Sequence, residues 1–130
     1  MIGGQQKVLE MTVQFVKERE QFGKPIGSLQ TIQNYCAEMA IDVETSKYIA
    51  YQTAWKVSND LHHKEDVSIA KVWCGDAYQR VTAIALQSHG AMGFTEEYDL
   101  HFFYKQAKSL QLMHGGSRYH REVVAQEMGL

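Results

Sequence analysis

The chain has little of what a disulfide framework, a membrane span or a polyanion-binding surface requires. Its only cysteines, Cys36 and Cys74, form no CxxC motif, and we expect two buried free thiols. No apolar run approaches the roughly 20 residues of a transmembrane helix. Lys and Arg number 13 against 15 Asp and Glu, a net charge of -2, which leaves no positive excess to bind nucleic acid or an anionic membrane. The first residues also lack the order of a secretory signal, so we expect a cytoplasmic protein.

Residues that break helices are also scarce. Pro25 is the only proline, and the ten glycines fall mostly in four small groups. Between these groups, apolar residues recur at separations of three and four, the period of a helix that buries one face. The pattern predicts five helices, over residues 5–19, 29–57, 67–88, 97–113 and 118–128. Thr95 and Ser117 are predicted to be the N-caps of the fourth and fifth helices. Residues 21–27 are predicted to form a turn between the first two helices.

These helices define the fold class. The second and third average about 26 residues, or about 39 Å, and their apolar seams are close to a heptad repeat, so we expect them to pack antiparallel. We therefore predict one all-α domain over residues 1–130, an up-down four-helix bundle with a short extra C-terminal helix. No strands alternate with the helices, which excludes a Rossmann-type unit.

Two of the turns carry motifs of defined spacing. Residues 19–26 read REQFGKPI and are followed by Gln30, and residues 87–94 read QSHGAMGF and are followed by Glu97 and Tyr98. They resemble the R-x-x-F-G-K-P-I…Q and Q-x-x-G-G-x-G-F/Y-x-x-E-Y motifs of acyl-CoA dehydrogenases. The resemblance covers essentially the whole chain and implies the C-terminal helical domain of that family, without its N-terminal helical and β-barrel domains. We therefore expect a domain from a longer chain, a truncated gene product or a stand-alone relative.

The resemblance implies a role in FAD chemistry. Acyl-CoA dehydrogenases oxidise an acyl-CoA thioester of fatty acid metabolism to the 2,3-enoyl-CoA: a carboxylate removes the α-proton, and FAD accepts the β-hydrogen as hydride. Their C-terminal domain contacts the FAD of a neighbouring subunit through these two motifs. An arginine fork and backbone N–H groups at glycine turns suit the FAD diphosphate. The matching candidates for FAD binding are Arg19, Gln21, Phe22, Gln30, Gln87 and Gly90.

Each candidate also has an ordinary structural explanation. Arg19 could be a surface arginine favoured by the dipole at a helix C-terminus. Phe22 could pack in the core beneath its turn, and Gln30 and Gln87 could be polar residues at helix ends. Ala91 stands where the family has its second glycine, so its methyl group would crowd a ligand lying against that turn.

His114 occupies the position of the family's catalytic glutamate. Residues 113–116 read MHGG, where the family has Y-E-G-T. The imidazole could act as a general base, because the ordinary histidine pKa of about 6.5 suits proton transfer near neutrality. It could instead assist a flavin hydroperoxide, as a histidine does in monooxygenases of this fold, or it could bond the last carbonyls of the fourth helix. A relative that has lost the base and keeps the bundle for assembly is a further alternative.

The sequence also predicts how the domain assembles. The faces of such a bundle are normally covered by other domains and subunits, so we expect a homodimer or homotetramer. We expect an acyl-CoA or related substrate to bind only to a complete enzyme. The isolated chain is expected to be inactive. No metal site is predicted, since His62 and His63 are adjacent in a polar loop and their side chains do not converge. A helical interaction module without a flavin is the third class of function that the pattern leaves open.

Overall fold

Five α-helices make up most of the computed structural model, which describes residues 1–95 and 98–130. The helices are α1 (Ile2–Glu18), α2 (Gln30–Ser58), α3 (Lys64–His89), α4 (Leu100–Leu112) and α5 (Ser117–Glu127). Two-residue strands β1 (Glu20–Gln21) and β2 (Lys24–Pro25) pair antiparallel between α1 and α2. A short 3₁₀ turn follows β2 at Ile26–Ser28, and another follows α3 at Gly90–Phe94. The predicted all-α fold is confirmed.

Helix α3 lies at the centre of the bundle and contacts each of the other four helices. Its buried positions are mostly small or apolar, which lets neighbours approach on several sides. At Gly75, for example, an added Cβ would lie only 3.2 Å from Gln111 Cγ on α4. The main core consists of buried residues from α1 to α4, namely Val8, Met39, Val43, Tyr78, Val81, Ala85, Leu86, Leu100 and Ala107. Burial of these side chains is the main source of stability for the fold.

Helices α2 and α3 run antiparallel, and charged pairs connect them near the loop and near the middle. Lys56 Nζ lies 2.7 Å from Asp66 Oδ2 beside the loop between the two helices. Further along, Arg80 bonds both carboxylate oxygens of Asp42, at 2.9 and 2.6 Å, and lies 5.4 Å from the centroid of the Trp73 ring. The hydrogen bonds to Asp42 raise the pKa of Arg80. These bidentate contacts fix the register of the two helices.

Tyr78 is the largest fully buried side chain, and it packs where α1 crosses α3. Its hydroxyl donates to Gln106 Oε1 on α4 at 3.1 Å. A Cβ at Gly4 would lie 2.1 Å from the Tyr78 hydroxyl oxygen, so the absence of a side chain at Gly4 lets α1 approach the ring. One glycine thus sets the distance between α1 and the central helix.

The structure corrects several local predictions. The turn after α1 contains the β1–β2 ribbon. Thr95 caps nothing at α4, because its hydroxyl donates to the Met92 carbonyl and the residue before α4 is Asp99. Ser117 is the first residue of α5, and its hydroxyl donates to Asp76 on α3 at 2.8 Å. Both hydroxyls that were expected to cap a helix therefore bond other partners: the Met92 carbonyl accepts from Thr95, and Asp76 accepts from Ser117.

Both cysteines are free thiols; Cys74 is buried as expected, whereas Cys36 is only half-buried. Across the described stretches, 1–95 and 98–130, no helix has the length and apolar content to cross a membrane.

Candidate functional site

The two sequence motifs meet at one cleft of about 290 Å³, here named the Arg19–Gln87 cleft. Arg19 directly follows α1 in extended backbone, and Gln87 lies in the last turn of α3. Gln21 on β1 and Gly90 after α3 line the same cleft. Among the described residues, its lining consists of Phe15, Arg19, Gln21, Ile26, Gln87, Ser88, His89, Gly90, Ala91 and Met92. Four of the six predicted cofactor-binding residues therefore come together, although the motifs are far apart in sequence.

Gly90 and Ala91 form the turn at one wall of this cleft. Gly90 has φ +60 and ψ -141, a backbone conformation that other residues rarely adopt. An added Cβ would meet no atom of residues 1–95 and 98–130 within 4 Å, so the backbone angles are what require glycine there. Ala91 is exposed on the same wall. A ligand could therefore approach the backbone at Gly90 closely, next to the methyl group of Ala91.

Two rings of the cleft lining, Phe15 and His89, belong to an aromatic cluster. The His89 ring stacks on Phe15 with centroids 4.0 Å apart, and Tyr98 contacts both rings edge-on. His89 Nδ1 donates to the Ala85 carbonyl at 2.8 Å, so in the neutral ring Nε2 is a bare acceptor. Nε2 is buried, and it has no hydrogen-bond partner among residues 1–95 and 98–130. Burial lowers the pKa of His89 below the ordinary value of 6.5, so the neutral ring is favoured.

This burial predicts a pH dependence of stability. The unfolded chain binds a proton at His89 near pH 6.5, whereas the folded chain binds it only at lower pH. The stabilisation from neutral His89 is therefore fully present above pH 6.5 and decreases as the pH falls through 6.5 toward the folded-state pKa. We expect His89→Gln to remove this part of the pH dependence, measured as the free energy of unfolding from pH 8 to 5 in urea. His62→Gln, at an exposed histidine, is expected to retain it, and equal slopes for both variants would contradict the assignment.

Phe22 and Gln30 lie outside the cleft lining. Phe22 is at the tip of the ribbon, 89% exposed, which rules out the core-packing explanation for it. It has φ +56 and the following Gly23 has φ +74, the pattern of a two-residue type I′ hairpin turn. An L residue in this conformation costs about 1–2 kcal/mol, and here it presents an aromatic ring to solvent. Gln30 is the first residue of α2 and is also exposed.

His114 lies at a second cleft, of about 350 Å³, here named the His114 cleft. Its lining is largely apolar and consists of Met1, Val67, Lys71, Leu110, Met113, His114 and His120. Lys71 Nζ donates to the Leu110 carbonyl at 2.6 Å, so Lys71 bonds the C-terminal end of α4. Burial lowers the pKa of Lys71. The exposed His114 imidazole makes no hydrogen bond to any part of the chain that the structure describes.

The sequence did not indicate that His120 contacts the His114 carbonyl, or that Ser68 contacts His120. His120 is buried, and its ring nitrogens lie 3.0 Å from the His114 carbonyl oxygen and 3.2 Å from Ser68 Oγ. Ser68 and His120 are far apart in the sequence, so no local pattern predicts their contact. Glu97, which forms part of the second motif, lies outside the described residues.

Comparison with known proteins identifies relatives of the whole chain. A family model described as the acyl-CoA dehydrogenase C-terminal domain matches residues 1–129. A glutaryl-CoA dehydrogenase of Desulfococcus multivorans is 33% identical over 125 residues, which are 95% of this chain and 32% of that protein. The butyryl-CoA dehydrogenase structure from Megasphaera elsdenii gives a TM-score of 0.96 at 29% identity, and an FAD complex of PigA gives 0.96 at 25%. Each covers 99% of this chain and 34% of the other, so the chain spans about a third of its relatives' length.

Proposed function

Because the chain belongs to the acyl-CoA dehydrogenase family, as its C-terminal domain, we propose that its Arg19–Gln87 cleft binds the diphosphate part of FAD. The observation that carries this proposal is the meeting of Arg19, Gln87 and Gly90 at one cleft. The complete enzyme would be an oxidoreductase that acts on CH–CH groups of an acyl-CoA. The family's N-terminal helical and β-barrel domains would supply the rest of the flavin and substrate sites.

The cleft has the donors that a diphosphate requires. The Arg19 guanidinium is exposed and carries a fork of N–H groups that suits phosphate oxygens. Gln21 and Gln87 add neutral amide donors, and the open backbone at Gly90 allows a ligand to approach closely. FAD, when bound, would supply the hydride acceptor. The protein's part in this cleft is to hold the anionic middle of the cofactor and to exclude alternative orientations.

Phe22 and Gln30 would take part from outside the cleft. Phe22 projects from the ribbon that also carries Gln21, so its exposed ring is available to the same cofactor or to the subunit that holds it. A large aromatic side chain at a strained, solvent-facing position is typical of a surface that is covered in the assembled protein.

The His114 cleft is the proposed place of the acyl group. Its walls are apolar apart from Lys71 and the two histidines, and His114 stands where the family has its catalytic glutamate. The lack of a hydrogen-bond partner in the described residues favours an imidazole that is free to accept or donate a proton at a bound ligand. We propose His114 as that group, either as a base at the acyl ligand or, in a monooxygenase-like member, as a residue that would hold or donate a proton beside the flavin. A relative that has lost the base remains the alternative.

An exposed apolar face on α2 supports assembly into a homodimer or homotetramer. Ile41, Tyr48 and Trp55 recur at intervals of seven and share this face with Tyr51, and each is at least 59% exposed. A stripe of large side chains at heptad spacing is typical of helices that pack against another helix. We therefore propose that α2 lies at a contact between copies of the chain.

The proposed FAD contact is testable with two flavins that differ in the diphosphate. FAD and riboflavin share the isoalloxazine ring, but riboflavin lacks the phosphates and the adenosine. In equilibrium dialysis against the purified chain, we expect FAD to be retained more strongly than riboflavin, with the difference decreasing as salt is added. Equal retention of the two flavins would contradict binding through the diphosphate.

A further inference from the structure

The turn between α4 and α5, residues 113–116, holds two successive residues in the left-handed region. The φ angle is +58 at His114 and +93 at Gly115. Glycine adopts this region at little cost, whereas an L residue with a side chain costs about 1–2 kcal/mol. A contact from outside the turn that holds His114 would offset this cost.

His120 on α5 makes a hydrogen bond to His114 itself. Its Nε2 lies 3.0 Å from the His114 carbonyl oxygen, and its Nδ1 lies 3.2 Å from Ser68 Oγ on α3. A carbonyl oxygen only accepts, so Nε2 carries the proton, and Nδ1 of the neutral ring accepts from the Ser68 hydroxyl. Because His120 is only 9% exposed, water does not readily replace either bond.

Gly115 packs directly over this imidazole. An added Cβ at Gly115 would lie 2.7 Å from Tyr119 Cδ1 and 3.2 Å from His120 Nε2. Tyr119 in turn contacts the His120 ring edge-on, with centroids 5.1 Å apart. Both the positive φ and the contact require glycine at this position, and the ring is enclosed on the side of the turn.

Other contacts hold the two ends of the turn, but not His114. Asp76 on α3 accepts from Gln111 at 2.7 Å and from Ser117 at 2.8 Å. Lys71 holds the end of α4 as described above. Among the described residues, the hydrogen bond from His120 is the one that reaches residue 114. Anchoring of the ends and orientation of His114 are therefore performed by different residues.

We infer that His120, with its tautomer fixed by the His114 carbonyl and its ring held by Ser68, is a positioning residue that holds His114 in the left-handed conformation and thereby places its imidazole at the His114 cleft. The role of His114 at a reacting group rests on the proposed function, whereas its orientation by His120 is a property of the flavin-free chain. The two are therefore tested separately.

The test compares two variants that keep different properties of His120. His120→Gln keeps a side-chain N–H that can donate to the His114 carbonyl, and His120→Phe keeps the ring shape without any donor. The readout is the conformation of His114 in solution, from its Cα and Cβ chemical shifts and the intraresidue HN–Hα NOE, both of which distinguish left-handed from right-handed backbone. We expect the left-handed signature in the wild type and in His120→Gln, and its loss in His120→Phe.

Ser117→Ala is the matched control, since it removes one bond to Asp76 at the end of the turn and leaves His120 intact. It is expected to lower the unfolding temperature while keeping the His114 signature. Retention of the signature in His120→Phe with its loss in His120→Gln would overturn the proposal, because shape and not donation would then hold the turn.

A measurement on the wild type keeps the proposal testable even if His120→Phe does not fold. The imidazole ¹⁵N spectrum is expected to show His120 as the Nε2–H tautomer, with a Nε2–H proton that exchanges slowly with water. A His120 ring protonated only at Nδ1 cannot donate to the His114 carbonyl and would also overturn the proposal.

Discussion

Replacing Arg19 by alanine is expected to weaken FAD binding by about ten- to a hundredfold. A charge-assisted hydrogen bond is worth about 1.5–3 kcal/mol, and each 1.4 kcal/mol corresponds to about a factor of ten in affinity. Arg19 is exposed at the end of α1, so its loss should leave the fold unchanged. The measurement is the dissociation constant for FAD, by calorimetry or dialysis at low salt, alongside the unfolding temperature.

The control is Arg118→Ala, which removes the same charge from a site away from the cleft. The Arg118 side chain is 93% exposed on α5, and within residues 1–95 and 98–130 it pairs only with Glu122 in the same helix. If net charge alone attracted the cofactor, both variants would weaken binding equally, and the specific role of Arg19 would be refuted. Arg19→Lys is expected to lie between wild type and Arg19→Ala, since lysine keeps the charge but not the planar fork.

Replacing Gly4 by alanine is expected to destabilise the fold by about 2–3 kcal/mol. In a helix interior alanine is ordinarily preferred to glycine by about 1 kcal/mol, so intrinsic propensity alone predicts the opposite sign. The structure decides between the two effects, because a Cβ at Gly4 would lie 2.1 Å from the Tyr78 hydroxyl oxygen. To make room, the fully buried ring would have to move away from its Gln106 partner. The measurement is the free energy of unfolding in urea.

Gly3→Ala provides a matched control in the preceding residue of the same helix. A Cβ at Gly3 meets nothing within 4 Å in the described part of the chain, so this variant is expected to be neutral or more stable by up to about 1 kcal/mol. Tyr78→Phe removes the clashing hydroxyl, although the ring carbon Cζ would still lie 2.6 Å from the new Cβ. The double variant should therefore be more stable than the sum of the two single losses predicts. A gain in stability for Gly4→Ala alone would show that α1 does not pack against Tyr78 as described.

The helices were predictable because their apolar residues repeat at the helical period. The predicted third helix ends at residue 88 and the observed α3 at His89, because Gly90 adopts a positive φ that ends the helix. Position 4 carried no such signal. The effect of Gly4 on stability depends on Tyr78, which is far along the chain. Helix propensity alone predicts that a glycine in α1 is destabilising.

The residues of the candidate site that belong to a sequence motif were predictable. The residues that only the tertiary fold brings to the site were not. The two motifs led to Arg19 and Gln87, which meet at one cleft although each had an ordinary structural explanation. The exposure of Phe22 was missed, because a two-residue hairpin turn with phenylalanine at positive φ is uncommon. The contact of His120 with Ser68 and the His114 carbonyl was also missed, since nothing local to either residue marks a tertiary hydrogen bond.

If the Arg19–Gln87 cleft receives the diphosphate of FAD, as we propose, bound FAD should shift the NMR signals of the backbone amides around this cleft. Titration of the ¹⁵N-labelled chain detects even weak binding, so it does not require the rest of the flavin site. We predict that amide shifts concentrate at residues 19–22 and 87–91, and that they are absent when riboflavin replaces FAD. Shifts spread over the surface, or concentrated on the far side of the bundle around α5, would contradict the assignment.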